Sequence, residues 1–244
     1  MEKFTVDGIV IKTAVTGEND LIIWVLTRNR GLIRAFAKGA RGVKSRFHAA
    51  ASQFAYSTCT FSEKNGVYNL SEAEIKNMFI ELRNSLSLMT CAQYFCEVLL
   101  KTLPEGSDGE FYLRLLLNSL YLLCKGEKPV LLIKSVFELR LAAEEGYMPA
   151  LVGCDTCGEY LTDMMYFDVE EGRLYCSDCG KITGASLFPS AVIAAMRHIV
   201  FADFDKIFSF ELSAQLLPVL NGITEKYLSV CTRRQFGTLE FFDL

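Results

Sequence analysis

Four cysteines are the residues of this chain best spaced for chemistry. They read Cys154-Asp-Thr-Cys157, then eighteen residues, then Cys176-Ser-Asp-Cys179. Two CxxC knuckles at that separation are the pattern of a four-thiolate zinc site, each knuckle turning two sulfurs toward one ion. Disulfides, a redox dithiol or four incidental cysteines are the competing readings. A symmetric double knuckle rarely arises by accident and four thiolates saturate a tetrahedral ion, so the spacing predicts one closed, structural Zn2+. A catalytic zinc keeps an open position beside an acid or base. His48 and His198 lie far off in sequence, and the His-x-Glu of zinc deaminases is absent. Gly158 and Gly180 each follow a second cysteine, where a chain leaving a metal turn often needs positive φ.

The second set is cationic. Arg28, Arg30, Arg34, Lys38, Arg41, Lys44 and Arg46 fall in residues 28–46, which contain no acid. Gly31, Gly39 and Gly42 interleave with them, and Phe36 and Phe47 supply aromatic faces. Such a run on a small barrel tracks a phosphate backbone without reading sequence, and aromatics beside it stack bases. The alternative is a solvated charged surface. The net charge of −4 argues against nucleic acid, but its distribution argues for it: residues 1–50 carry nine Lys/Arg against four Asp/Glu. Residues 154–180 are the reverse, with Arg173 against Asp155, Glu159, Asp163, Asp168, Glu170, Glu171 and Asp178. That surface repels phosphate, so the cysteine segment reads as a brace or a protein-docking face.

Other catalytic arrangements fail. Tyr175 stands where a phosphate loop ending in Gly180-Lys181 needs its first glycine. No G-x-G-x-x-G follows a strand, and no G-x-S-x-G elbow is present. The pairs Glu144/Glu145 and Glu170/Glu171 are adjacent in sequence and cannot share a helix face as a catalytic dyad would. The residues read as a binding protein, not an enzyme.

These residues need positioning elements. Strand-like runs cover 4–12, 21–27, 32–37, 52–61 and 67–70, with a bulge or corner expected at Gly8 and an Asn65-Gly66 hairpin turn. Five short strands in about 75 residues suggest a small closed barrel of the OB-fold kind. Helical periodicity then takes over at 84–103, stopped by Pro104, at 109–124 after an Asp108 cap, and at 129–145. The second of these is apolar on nearly all sides and reads as buried. Between the knuckles, 165–169 and 173–175 form a hairpin. A further helix starts in 186–190, and another covers 213–230 with a kink expected at Pro218. The tail 239–242 reads as a strand or a docked segment.

The expected architecture is α+β and multidomain. It has an N-terminal OB-fold DNA-binding domain (1–80), an α-helical domain (81–150 and 183–244) and a zinc module (151–182) inserted in the latter. The remaining cysteines, Cys59, Cys91, Cys96, Cys124 and Cys231, sit among apolar neighbours and read as core residues. No apolar leader opens the chain, and Lys, Glu, Arg or Asn interrupts every apolar run short of a bilayer span. A reducing, cytoplasmic setting without membrane contact is the expectation.

Several segments together resemble the RecO family of bacterial DNA repair and recombination proteins. They are Gly8-Ile-Val-Ile-Lys12 with Gly17-Glu-Asn-Asp-Leu21, Ala37-Lys-Gly-Ala-Arg41 with Lys44-Ser-Arg46, Phe137-Glu-Leu-Arg-Leu141, Gly146-Tyr-Met-Pro149, and the cysteine quartet. Their order and spacing make the match specific over nearly the whole chain. The resemblance implies an OB-fold, a helical domain bearing a zinc module, and binding of single- and double-stranded DNA. It also implies annealing of complementary strands and, with RecR, loading of RecA onto DNA coated by single-strand-binding protein, whose C-terminal tail docks in the helical domain. By motif position the DNA-contacting surface falls on Arg34, Lys38, Arg41, Lys44 and Arg46, and the work is nucleoid-associated. The alternative is a zinc adaptor that meets only proteins; a zinc hydrolase would need a base that the quartet lacks.

Overall fold

A computed structural model describes residues 2–103, 106–182 and 184–242. Five strands come first: β1 (Glu2–Thr16), β2 (Asp20–Thr27), β3 (Gly31–Ala37), β4 (Tyr56–Lys64) and β5 (Val67–Asn77). They close into a barrel in the order β1-β2-β3-β5-β4, with β4 returning to β1. Every pairing is antiparallel except β3 with β5, where Ala35 faces Tyr68 and Phe36 faces Asn69. This is the OB-fold arrangement. Alternation sets the two faces, because successive side chains point to opposite sides of a strand. Ile23 and Val25 of β2, Ile33 and Ala35 of β3, and Cys59 and Phe61 of β4 turn inward to one apolar core. Ile22, Trp24, Leu32, Arg34 and Phe36 are thereby left on the outer face, half-buried or exposed.

Two local expectations are corrected. The bulge lies between Val10 and Lys12 rather than at Gly8. Residues 38–55 form a series of turns, so β4 begins at Tyr56 rather than Ser52. Ala40, Phe47, Ala50, Ala51, Phe54 and Ala55 are buried there. Small and aromatic side chains thus fill the space beside the strands, and Phe54 at φ 69° cannot continue an extended run.

Contacts divide the chain into two units, residues 1–125 with 237–244, and residues 126–236. The first joins α1 (Leu86–Thr102) and α2 (Glu110–Lys125) to the barrel. The Asp108 carboxylate accepts the Glu110 N–H at 3.0 Å, the cap its sequence foretells. The expected stop at Pro104 lies outside the described residues. The tail docks on α1: Glu97 accepts the N–H groups of Gly237 (3.0 Å) and Thr238 (2.9 Å) and the Thr238 hydroxyl. It also takes Lys101 Nζ at 2.7 Å. Burial alone would raise the Glu97 pKa, but these donors outweigh it and hold the group at about 2.

The second unit holds α3 (Val130–Glu144), α4 (Ser190–Phe201) and α5 (Leu217–Thr232), with a sheet of β6 (Met164–Asp168), β7 (Arg173–Cys176) and β8 (Ser186–Pro189) in the order β7-β6-β8. Residues 186–189 therefore pair as a strand before the helix begins at Ser190. Pro218 lies in the first turn of α5 and kinks nothing, since that helix starts at Leu217 and an N1/N2 proline lacks only an N–H that would be unpaired anyway. The helix buried on nearly all sides is α3, not α2. Its buried face includes Lys134 and Glu138, each fully enclosed. Lys134 Nζ donates to Glu138 Oε1 at 2.7 Å, Asn221 Oδ1 at 3.0 Å and Glu225 Oε2 at 2.6 Å. Thr224 Oγ1 closes the network on Glu138 Oε2 at 2.7 Å. Three donors thus meet three acceptors, which makes a buried ammonium tolerable.

Candidate nucleic-acid face and candidate metal centre

The seven cations of 28–46 do not form one cluster. Arg28 and Arg30 occupy the turn between β2 and β3, whereas Lys38, Arg41, Lys44 and Arg46 follow β3 at its other end. Seven strand residues at about 3.3 Å each separate the two groups by roughly 20 Å. At the first end Arg28 meets Glu110 at 3.3 Å, and the Arg30 guanidinium lies 3.9 Å from the Phe4 ring centroid. Arg34, exposed on the outer face of β3, lies midway between the two groups.

The β1–β2 turn fixes the segment after β3. Gly39 N–H donates to Asp20 Oδ1 at 2.7 Å, Arg41 N–H to the Asn19 carbonyl at 3.1 Å, and the Arg41 guanidinium to the Glu18 carbonyl at 2.6 Å. His48 Nδ1 lies 3.1 Å from the Ala40 carbonyl. Arg46 donates to the Ser71 carbonyl at 3.0 Å and lies 4.5 Å from the Phe47 ring centroid. Lys38 and Lys44 are exposed, as are Arg41 and Arg46 despite their bonds. The backbone is thereby held while the charges face solvent. Phe47, expected to offer a stacking face, is buried in the barrel core; Phe36 stays half-buried outside it.

Two residues of this face escape a reading by charge run alone. Lys12 of β1 stands opposite Trp24 of β2, which stands opposite Arg34 of β3. Lys12 Nζ and Arg34 Cζ lie 5.0 and 5.5 Å from the indole centroid. The register that joins them depends on the bulge after Val10, which no residue count in the sequence reveals.

In the second unit the four cysteine sulfurs lie within 4.8 Å of one another. β6 and β7 make the expected hairpin and deliver Cys176 opposite Met165. The first knuckle is a turn closed by Gly158 N–H on the Cys154 carbonyl at 2.9 Å and Cys154 N–H on the Glu159 carbonyl at 2.8 Å. In the second, Cys179 N–H points at Cys176 Sγ at 3.4 Å. Cys157 and Cys176 sulfurs are 3.7 Å apart, and all nine cysteines are free thiols. Zn–S bonds of about 2.3 Å in a tetrahedron put sulfurs about 3.8 Å apart, whereas a disulfide needs about 2.05 Å. The quartet fits a tetrahedral thiophilic ion and no pairing.

Electrostatics favour a cation there too. Burial pushes the Cys154 thiol up, but N–H groups of Cys157, Cys176 and Thr156 bring it down to about 6. Hydrogen bonds to the Cys176 and Cys157 sulfurs favour the protonated Cys179 thiol and hold it up at about 12. Gly158 has the positive φ its place suggests, at 79°. Gly180 does not; its reason is space, since a Cβ there would overlap the Tyr166 ring. Arg197 of α4, which no motif singles out, clasps the chain entering the module. It donates to the carbonyls of Leu151 at 2.6 Å and Tyr160 at 2.5 Å.

The structure is thus a five-stranded OB barrel and a helical unit that carries a four-cysteine module. The chain matches the family Recombination protein O N terminal over residues 1–79 and Recombination protein O C terminal over residues 83–240. DNA repair protein RecO of Acetivibrio thermocellus is 32% identical over 242 residues, covering 99% of this chain and 96% of that one. DNA repair protein RecO of Symbiobacterium thermophilum is 30% identical over 247 residues, covering 100% and 98%. The chain therefore belongs to the RecO family, whose role is DNA repair and recombination. Among the described residues, no helix is long and apolar enough to cross a membrane.

Proposed function

We propose that the chain binds single- and double-stranded DNA through Arg34, Lys38, Arg41, Lys44 and Arg46, with Arg28 and Arg30 as a separate phosphate contact. It anneals complementary strands and, with RecR, promotes RecA loading on DNA coated by single-strand-binding protein, whose C-terminal tail it also meets. The observation that carries this reading is the acid-free segment after β3, whose backbone is pinned while its cations face solvent. Phosphate contacts of that kind release counterions and are indifferent to sequence, as a mediator on any damaged strand requires. Cys154, Cys157, Cys176 and Cys179 hold one Zn2+ that braces the second unit, and the acids around them keep DNA on the barrel. The work is done on the nucleoid, in the cytoplasm.

The test is annealing of complementary oligonucleotides, bare and coated with single-strand-binding protein. The chain should speed pairing in both cases, and Lys38→Glu with Lys44→Glu should remove the effect. A chain that leaves the spontaneous pairing rate unchanged and ignores oligonucleotides is instead the protein-only adaptor.

A further inference from the structure

The proposed DNA face contains an aromatic that the phosphate contacts leave unexplained. Trp24 is the single tryptophan of the chain, and it sits outside the barrel core. Inward neighbours Ile23 and Val25 are fully buried, while Trp24 stays half-buried on the outer face. An indole there gives up part of the burial that normally repays so large a side chain, and keeps an edge or face open to solvent. It stands in register between Lys12 and Arg34, both exposed. Their charges lie 5.0 and 5.5 Å from its centroid, within the range of a cation–π contact. One step along the sheet, Ala14, Ile22 and Phe36 form the next registered row, also half-buried and without charge. The outer face is thus an apolar strip with two aromatics, bordered by cations on the flanking strands.

We infer that Trp24, framed by Lys12 and Arg34, is a base-stacking subsite that takes unpaired bases and gives this face a preference for single strands over duplex. The inference rests on the proposal that the barrel binds DNA and adds what that proposal leaves open, the form of DNA held here. A single strand can lay a base on the indole while its phosphates meet the two cations, and every base has a π-face to offer. A duplex has its base faces stacked already and can offer only phosphates. Pairing of two strands therefore withdraws bases from Trp24 and leaves the product held by charge alone, which favours release of annealed DNA.

Because the chain has one tryptophan, its intrinsic fluorescence reports on this position directly. Oligo(dT) should quench Trp24 along the same isotherm that fluorescence anisotropy of a labelled strand gives, and a duplex of equal phosphate number should not. Trp24→Ala should weaken oligo(dT) binding about 5- to 100-fold and leave duplex binding unchanged, whereas Trp24→Phe should keep most of the affinity. Oligo(dT) that binds without changing the fluorescence of the wild type, or equal quenching by duplex, overturns the subsite while leaving DNA binding by the barrel standing. Loss of affinity in Trp24→Ala that is equal for both forms also overturns it. Absence of any DNA binding by the wild type removes both. The wild-type quenching decides the matter even where Trp24→Ala fails to fold.

Discussion

Cys157 is the exposed member of the quartet, so replacing its sulfur by oxygen removes a ligand with little loss of packing. The wild type should carry about one zinc per chain, and Cys157→Ser should lose it, with a fall in Tm of more than about 5 °C. Metal analysis and thermal unfolding of freshly reduced protein check this, and a metal-free wild type contradicts it. DNA binding by the barrel should survive in Cys157→Ser if the metal is a brace. The cations differ from one another in the same way. Arg41 and Arg46 hold backbone carbonyls, so their loss confounds charge with folding, whereas Lys38 and Lys44 offer cleaner reversals. At this scale the cysteine spacing was enough to foretell the quartet, because a knuckle is local chemistry. The role inferred for Trp24 was not legible in the sequence, since Lys12 and Arg34 come from two other strands and meet it only through the register.

Among the elements, α3 shows best why periodicity alone misleads. Its sequence, Val130–Glu144, carries Lys134, Glu138 and Arg140, whereas α2 is the helix whose apolar surround predicts burial. Lys134 and Glu138 are fully enclosed because they satisfy each other and reach Asn221, Thr224 and Glu225 of α5. Burial lowers the Lys134 pKa, but Glu138 and Glu225 more than offset it, and the ammonium stays charged. Lys134→Met leaves Glu138 buried without its cation and should cost about 3–5 kcal/mol in denaturant unfolding. Adding Glu138→Leu should recover most of that loss. A single Lys134→Met within experimental error of the wild type contradicts this account of the α3–α5 contact. The strands followed from alternation and turn residues; the turns of 38–55 did not, because Phe54 alternates with Tyr56 as a strand residue would and Phe47 reads as an exposed aromatic until the burial of both is known.

Over the whole molecule, the division of charge follows the division of chemistry. The first 50 residues carry nine Lys/Arg against four Asp/Glu, and the four-cysteine segment is acidic. A net charge of −4 conceals that contrast, which is why a total is a poor guide to partners. The central claim is that the cations after β3 hold the DNA backbone. Its most direct measurement is the affinity for oligo(dT) as a function of salt, in the wild type and in Lys38→Glu with Lys44→Glu. Phosphate contacts by Arg34, Lys38, Arg41, Lys44 and Arg46 contribute about −3.5 to the log–log slope, of which the double variant removes about 1.4. They also predict at least a tenfold, roughly, loss of affinity at low salt in that variant. Affinity that is indifferent to salt, or equal in both proteins, would contradict the claim.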